Sequence, residues 1–278
     1  MGEHASDNGP SRSKSTSPVP PLRVVLVDVD GVITPGEGCP ADLSVFEQLV
    51  RYAQAAEAES LLPRIALCTG RPAPYVEFVA QLAQVDLPCI FEHGCGLYFP
   101  RAYSEGTCPY EFHPDVGRSY AADLAHLREL LRPALLDPGL AFVQPGKEAS
   151  MSLYPLGGVS LDALVDVGTA LLERERLPFT VTANVHGVEF RRVGVDKGSG
   201  ARWLAQRLEM PLQAFAAVGD SDPDLCFLEL AGYSAAPANA TPAVKAAVDY
   251  VASAEFGEGL VEILGSIEQR NRADSRPT

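Results

Sequence analysis

The stretch that decides the fold is VVLVDVDGVIT, from Val24 to Thr34. It is an apolar run rich in valine, typical of a buried strand, and it ends in two aspartates, Asp28 and Asp30. Side chains two residues apart on a strand share a face, so both carboxylates are predicted to emerge together where this strand ends. Because burying an unpaired charge is costly, the pair requires a cation, and oxygen ligands favour Mg²⁺.

Two other acidic motifs compete for this stretch. A calcium-binding EF-hand loop is excluded, because the glycine and the glutamate that it requires fall on Ile33 and Cys39. A receiver domain, in which an acidic cluster, a threonine and a lysine surround a phosphorylated aspartate, is a real alternative. It places that aspartate on a middle strand, however, in a chain much shorter than these 278 residues.

Composition restricts the class of protein. A net charge of −14 argues against nucleic acid as a partner, since phosphate backbones require clustered Lys and Arg. The sequence contains no apolar run of the roughly 20 residues that cross a membrane, and its six cysteines form no CxxC pair. We therefore expect a cytoplasmic protein without nucleic-acid or membrane partners, and we leave a homo-oligomer open.

The order of predicted elements indicates an α/β fold. Strands and helices alternate near both ends of the chain, which predicts a doubly wound parallel sheet like that of Rossmann folds. We assign residues 22–105 and 188–270 to this core domain. Residues 106–187 read as an inserted α+β cap domain, and residues 1–21, rich in Ser, Pro and Gly, as a disordered tail.

Three further stretches supply groups that the aspartates lack. LCTGR places Thr69 at a strand end, followed by Gly70, which allows the backbone to approach an anion. GVDKGSG places Lys197 just before a helix, where it can neutralise phosphoryl oxygens. VGDSDPD places Asp220 after an apolar strand and Asp224 in the first turn of the next helix. Each stretch alone is weak evidence, but together and in this order they predict a phosphate site.

These motifs resemble a known family. DVDGVIT, CTGR, VDKGSG and GDSDPD are similar to the four motifs of the haloacid dehalogenase superfamily of aspartyl phosphatases, and the insert resembles its type-C2 cap. FEHGCGLY is similar to the "ENG" strand of the Cof and sucrose-phosphatase-like branch. KEAS and PANATPAVKAAVDYVAS most resemble the archaeal-type phosphoglycolate phosphatases.

The resemblance implies a role for each motif residue. Asp28 would be the nucleophile, and Asp30 the acid that protonates the leaving oxygen and later activates water. Thr69 and Lys197 would hold the phosphoryl oxygens. The ligands implied for Mg²⁺ are the Asp28 carboxylate, the Asp30 main-chain carbonyl and Asp220, with Asp224 supporting the metal or Lys197.

Three positions depart from the family pattern. The threonine expected four residues after the nucleophile is Val32, with Thr34 following later. His93 stands in place of the asparagine of "ENG", and Pro223 in place of the asparagine before the last aspartate. Since none of these changes removes a chemical role, the phosphatase prediction stands.

The substrate prediction depends on the insert. Lys147 and Glu148 are charged residues between strand-like segments and are candidates for substrate contact, and Asn239 is a candidate for shaping the core pocket. A lysine aimed at the site pairs with a carboxylate, which favours a small phosphorylated acid such as 2-phosphoglycolate. A sugar phosphatase is the alternative within the family. A non-catalytic phosphate-binding regulator is the alternative outside it, although Asp30 argues against that alternative because mere binding has no use for an acid.

Overall fold

The structure is a computed structural model that describes residues 20–274. The predicted tail, residues 1–21, lies almost entirely outside the described residues. In chain order the strands are β1 (Val24–Val27), β2 (Arg64–Leu67), β3 (Cys89–Phe91), β4 (Gly96–Tyr98), β5 (Tyr110–Phe112), β6 (Ala141–Val143), β7 (Met151–Pro155), β8 (Phe179–Ala183), β9 (Val188–Arg192), β10 (Phe215–Val218), β11 (Tyr233–Ala236) and β12 (Tyr250–Val251). The α-helices are α1 (Leu43–Ala58), α2 (Ala73–Leu82), α3 (Ala102–Glu105), α4 (Tyr120–Leu131), α5 (Leu161–Glu175), α6 (Lys197–Arg207), α7 (Leu225–Leu228), α8 (Pro242–Ala247) and α9 (Phe256–Asp274).

A parallel sheet forms the centre of the core, with strand order β12-β11-β10-β1-β2. Val27 of β1 pairs with Val218 of β10 on one side and with Leu67 of β2 on the other. The three strands therefore end at the same level, and the residues that follow them meet at one edge. In an open α/β sheet this carboxyl edge is where ligands bind.

Alternate side chains of β1 enter two different hydrophobic clusters, which is why the sheet carries helices on both faces. Val25 and Val27 pack with residues of α1, α2 and α9 on one face. Val24 and Leu26 pack with residues of α6, α7 and α8 on the other. The predicted doubly wound α/β core is confirmed. Among residues 20–274 no helix is both long and apolar enough to cross a membrane.

The insert is a separate antiparallel sheet with strand order β6-β7-β9-β8, covered by α4 and α5. Strands β8 and β9 form a hairpin, pairing from Phe179 with Arg192 to Ala183 with Val188. A third, smaller antiparallel sheet, β3-β4-β5, lies beside the core, and Cys68 bridges to Ile90 in parallel, which joins β3 to the core edge.

The predicted limits of the insert, residues 106–187, are wrong at both ends. Strand β5 pairs with β4 of the core side, and β9 pairs with β7 and β8 of the insert. The sheet pairing therefore places the insert between about residue 114 and Arg192. The sequence did not reveal this because β5 and β9 have the same strand-like composition whichever sheet they join.

Candidate active site

A buried lysine lies between two buried carboxylates at the carboxyl edge of the sheet. The Nζ atom of Lys197 is 2.8 Å from Oδ2 of Asp28 and 2.6 Å from Oδ1 of Asp224. Lys197 is the first residue of α6, whose start is fixed by a capping box between Asp196 and Ser199. The fold thus delivers one cation to the end of β1, where the sequence required one.

Asp224 holds both the lysine and the loop after β10. Its Oδ2 accepts hydrogen bonds from the main-chain N–H groups of Asp220 and Ser221 and from the Ser221 hydroxyl, all at 3.0 Å. Burial alone raises the pKa of Asp224, but Lys197 and these hydrogen bonds outweigh that effect and hold the pKa below its ordinary value. Asp224 therefore supports Lys197, the second of the two roles considered for it.

The positive charge of Lys197 alone does not balance the three carboxylates that face one another here. Burial raises the pKa of Asp28 well above its ordinary value; Lys197 opposes this rise, and Asp224 and Asp220 add to it. Burial and the neighbouring Asp224 raise the pKa of Asp220 to about 7. Oxygen Oδ1 of Asp220 is buried and has no hydrogen-bond partner among the described residues.

A divalent cation fits this cluster. Carboxylate oxygens of Asp28, Asp220 and Asp224 lie within 4.8 Å of one another. Gly31 follows Asp30 with φ of +83°, and a Cβ atom there would come within 2.2 Å of the Asp220 carboxylate. Only glycine lets the main chain beside Asp30 approach Asp220 so closely. The carboxylate oxygens, whose negative charge is only partly balanced, and the main chain beside Asp30 together form a site for a hard cation with oxygen ligands.

Asp30 is held by the arginine that ends the CTGR motif. Arg71 donates to both Asp30 oxygens, from Nε at 2.7 Å and from Nη2 at 2.8 Å. Its Nη1 lies 3.1 Å from Oε1 of Glu37, and its guanidinium stacks 4.7 Å from the ring centroid of Tyr75. Asp28 and Asp30 therefore have different partners, Lys197 for the first and Arg71 for the second.

The predicted phosphate turn lies against the unusual histidine. Thr69 is fully buried, and its hydroxyl accepts a hydrogen bond from the Arg71 N–H at 3.2 Å. A Cβ atom at Gly70 would lie 2.3 Å from the imidazole of His93. His93 belongs to three consecutive residues with positive φ, Glu92 to Gly94. The histidine thus occupies the space that a side chain at position 70 would fill.

One of the two candidates in the insert faces the core, and the other does not. The ammonium of Lys147 is buried, 2.9 Å from Oε2 of Glu189, and donates to the Ser152 hydroxyl. The imidazole Nε2 of His93 is 3.7 Å from the same Glu189 oxygen. The side chain of Glu148 is exposed, so its predicted substrate contact is not supported.

Glu92 fixes the loop that carries Lys147. Its carboxylate accepts hydrogen bonds of 2.8 to 2.9 Å from the N–H groups of Glu148, Ala149 and Ser150, and from the Ser150 hydroxyl. This is what Glu148 contributes, a main-chain donor rather than a charge.

Asn239, the candidate for shaping the core pocket, contacts the loop that follows β1. Its amide donates to the Gly31 carbonyl at 2.9 Å and accepts from the Phe256 N–H at 2.8 Å. These two contacts stabilise the loop after β1 from behind.

Sequence reasoning missed four residues of this site: Glu37, Arg71, Glu92 and Glu189. Arg71 could have been identified from sequence, because it directly follows the predicted phosphate turn Thr69-Gly70 and a cation at that position can bind an anionic group. The three glutamates gave no signal, because most of their partners lie 34 to 117 residues away in the sequence.

His93 is expected to make stability depend on pH. Burial lowers its pKa to about 4, against 6.5 for the unfolded chain. Between these values the unfolded state binds a proton that the native state does not, so stability falls as pH falls. From pH 7 to pH 5 this amounts to about 2 kcal/mol.

The variant His93→Asn tests this expectation, because asparagine tolerates positive φ. Urea unfolding measures the free energy of unfolding of both proteins at pH 7 and at pH 5. We expect this free energy to fall by about 2 kcal/mol less in the variant than in the unsubstituted protein. Equal losses in the two proteins would contradict a buried, neutral His93.

Comparison with known proteins agrees with this geometry. Residues 172–264 match the family model described as haloacid dehalogenase-like hydrolase. The chain is 26% identical over 249 residues to a phosphoglycolate phosphatase of Methanosarcina acetivorans. The aligned residues make up 89% of this chain and 97% of that relative. In sequence the chain is similar to the haloacid dehalogenase-like hydrolases. These matches bear out the resemblance predicted from the four motifs, and they bear out the prediction of a phosphatase enzyme.

Two solved structures are similar to the hydrolase in fold. One is protein 0175 of Thermoplasma acidophilum, with a TM-score of 0.68 and 19% identity, covering 89% of this chain and 98% of the other. Another is the sucrose-phosphatase of Synechocystis sp. PCC6803 in complex with sucrose and phosphate, with a TM-score of 0.64 and 16% identity, covering 89% and 98%. At these identities the likeness supports the fold, including a core that carries an inserted cap.

Proposed function

We propose that the hydrolase is a Mg²⁺-dependent phosphatase that hydrolyses a small phosphomonoester through a phosphorylated Asp28. The observation that carries the proposal is the set of groups around Asp28. Lys197 bridges it to Asp224, and beside it lies the Asp220 oxygen that has no hydrogen-bond partner among residues 20–274. A non-catalytic phosphate binder has no need for a buried nucleophile in this surrounding.

The residues divide the reaction between them. A carboxylate oxygen of Asp28 attacks phosphorus, forming an O–P bond as the bond to the leaving oxygen breaks. Asp30 gives that oxygen its proton, then takes a proton from the water that attacks the phosphorylated Asp28 and frees its carboxylate. Throughout, Lys197 and the Thr69 hydroxyl orient and neutralise the phosphoryl oxygens.

The metal ligands would be the Asp28 carboxylate, the Asp30 main-chain carbonyl and Asp220. A magnesium ion bound there would supply positive charge for the phosphoryl oxygens. Asp224 would act on this site through Lys197 and the Asp220 loop, to which it is hydrogen-bonded.

The proposed substrate is 2-phosphoglycolate or a similar phosphorylated acid. Relatives named phosphoglycolate phosphatase support this choice, as does the buried ammonium of Lys147. One observation favours a sugar phosphate as the second candidate. Lys147 is already paired with Glu189, and Ser152 and Asn184 beside that pair offer hydroxyl and amide groups for sugar hydroxyls.

A substrate panel tests the proposal. The panel contains 2-phosphoglycolate, several sugar phosphates and 4-nitrophenyl phosphate. We expect phosphate release to require Mg²⁺ and to stop when a chelator is added. We expect the fastest release from 2-phosphoglycolate. Faster turnover of a sugar phosphate would move the specificity to the second candidate. No turnover of any phosphomonoester would contradict the proposed function.

The variant Lys147→Ala separates recognition by the insert from chemistry. If Lys147 reads a carboxylate, the variant loses its preference for carboxylated over neutral phosphomonoesters. An unchanged preference would remove Lys147 from the specificity site. A cytoplasmic location, a small phosphorylated metabolite as the partner, and a homo-oligomer belong to the proposal as predictions.

A further inference from the structure

Glu37 is the point at which the insert and the general acid's arginine meet. It lies in the loop between β1 and α1. Its carboxylate accepts from the hydroxyl of Tyr154 at 2.7 and 2.6 Å and from the amide of Gln144 at 3.0 Å, and both donors belong to the insert. On its core side the same carboxylate lies 3.1 Å from Arg71. One side chain therefore connects two insert residues to the partner of Asp30.

The loop around Glu37 has little other support. Gly36 and Gly38 flank it with φ of +123° and +75°, and a Cβ atom on either would meet no atom of the described part of the chain within 4 Å. The position of the Glu37 side chain is accordingly fixed by its hydrogen-bond partners rather than by packing.

The charges around Arg71 explain why the insert matters. Arg71 is one cation that faces two carboxylates, Asp30 and Glu37. Neutral donors from Tyr154 and Gln144 satisfy the Glu37 oxygens, which leaves Nε and Nη2 of Arg71 for Asp30. Without those donors Glu37 competes with Asp30 for the guanidinium of Arg71, because a partly buried carboxylate that lacks hydrogen-bond donors binds more strongly to a nearby cation.

We propose that Glu37 is a latch that couples closure of the insert to the placement of Asp30. Contact with Tyr154 and Gln144 holds Glu37, and through Arg71 the Asp30 carboxylate is held in the orientation that serves the leaving oxygen. Glu37 and Arg71 are positioning residues that do not touch the reacting atoms. This inference rests on the proposed phosphatase function.

The test uses the leaving group as the probe. An alkyl phosphate such as 2-phosphoglycolate needs Asp30 to protonate its leaving oxygen, whereas the nitrophenolate of 4-nitrophenyl phosphate leaves without much help. The variant is Tyr154→Phe, which removes a donor to Glu37 and keeps the ring that stacks on Phe142. The measured quantity is kcat/KM, which reports the first phosphoryl transfer.

We expect Tyr154→Phe to lose about tenfold in kcat/KM on the best alkyl phosphate of the panel, the size of effect expected for one hydrogen bond to a charged group. On 4-nitrophenyl phosphate we expect a loss of less than about twofold. Asp30→Asn should show the same imbalance more strongly.

Tyr52→Phe is the matched control. It also removes a hydroxyl hydrogen bond, to the Pro63 carbonyl at 2.9 Å, but from helix α1 rather than from the insert. We expect no imbalance between the two substrates. Equal losses on both substrates in Tyr154→Phe, or no loss, would overturn the latch while leaving the phosphatase intact. An inactive unsubstituted protein would instead remove the proposed function.

Discussion

Asp28→Asn is expected to lower phosphate release by at least about a thousandfold. The amide has nearly the shape of the carboxylate, so the site keeps its packing, but an amide oxygen is a far weaker nucleophile towards phosphorus. Steady-state phosphate release measures the loss. Intact-protein mass after rapid acid quench should also show a phosphoryl adduct on the unsubstituted protein and none on the variant.

The matched control is Asp222→Asn, in the exposed turn next to the site, where the carboxylate accepts from the Thr241 hydroxyl at 2.7 Å. Its turnover is expected to stay within about twofold, because it faces neither Asp28 nor Lys197. Substantial turnover by Asp28→Asn would assign the nucleophile elsewhere.

Lys197→Met is expected to destabilise the fold by about 3 to 5 kcal/mol and to abolish turnover. Methionine fills similar space but leaves Asp28 and Asp224 facing one another in a buried site without the cation between them. Urea unfolding at pH 8 in the presence of chelator measures the loss, since both carboxyl groups are most costly where they are ionised.

Two variants sharpen this measurement. Lys197→Met with Asp224→Asn removes one charge and should recover part of the lost stability, but no turnover. Lys245→Met, at an exposed lysine of α8, should change stability by less than about 0.5 kcal/mol. If Lys197→Met unfolded at the same urea concentration as the unsubstituted protein, the buried triad would not be a stabilising unit.

The core was predictable from sequence because its signals are local. An apolar run that ends in Asp28 specifies both a strand and the edge at which its carboxylate emerges. The same reasoning placed Thr69, Lys197 and Asp220, since each follows a strand or opens a helix, and the register of β1 with its neighbours brings strand ends together.

The insert was less predictable because its contacts are distant in sequence. Glu189 of β9 forms a buried pair with Lys147 of the loop between β6 and β7, and Glu92 reaches the same loop 56 residues further on. Nothing in EHG or VEF indicates these partners, whose positions depend on how the insert packs on the core. The limits of the insert failed for the same reason, because strand pairing decides which sheet β5 and β9 belong to.

The return of the chain from the insert to the core has a mechanical consequence. Strand β9 ends at Arg192, and only four residues separate it from Lys197. Val193 and Gly194 are exposed, whereas Asp196 is clamped to Ser199 by reciprocal hydrogen bonds. We therefore expect any rotation of the insert to be taken up at Val193 and Gly194, because the hydrogen bonds between Asp196 and Ser199 hold the start of α6 and with it Lys197.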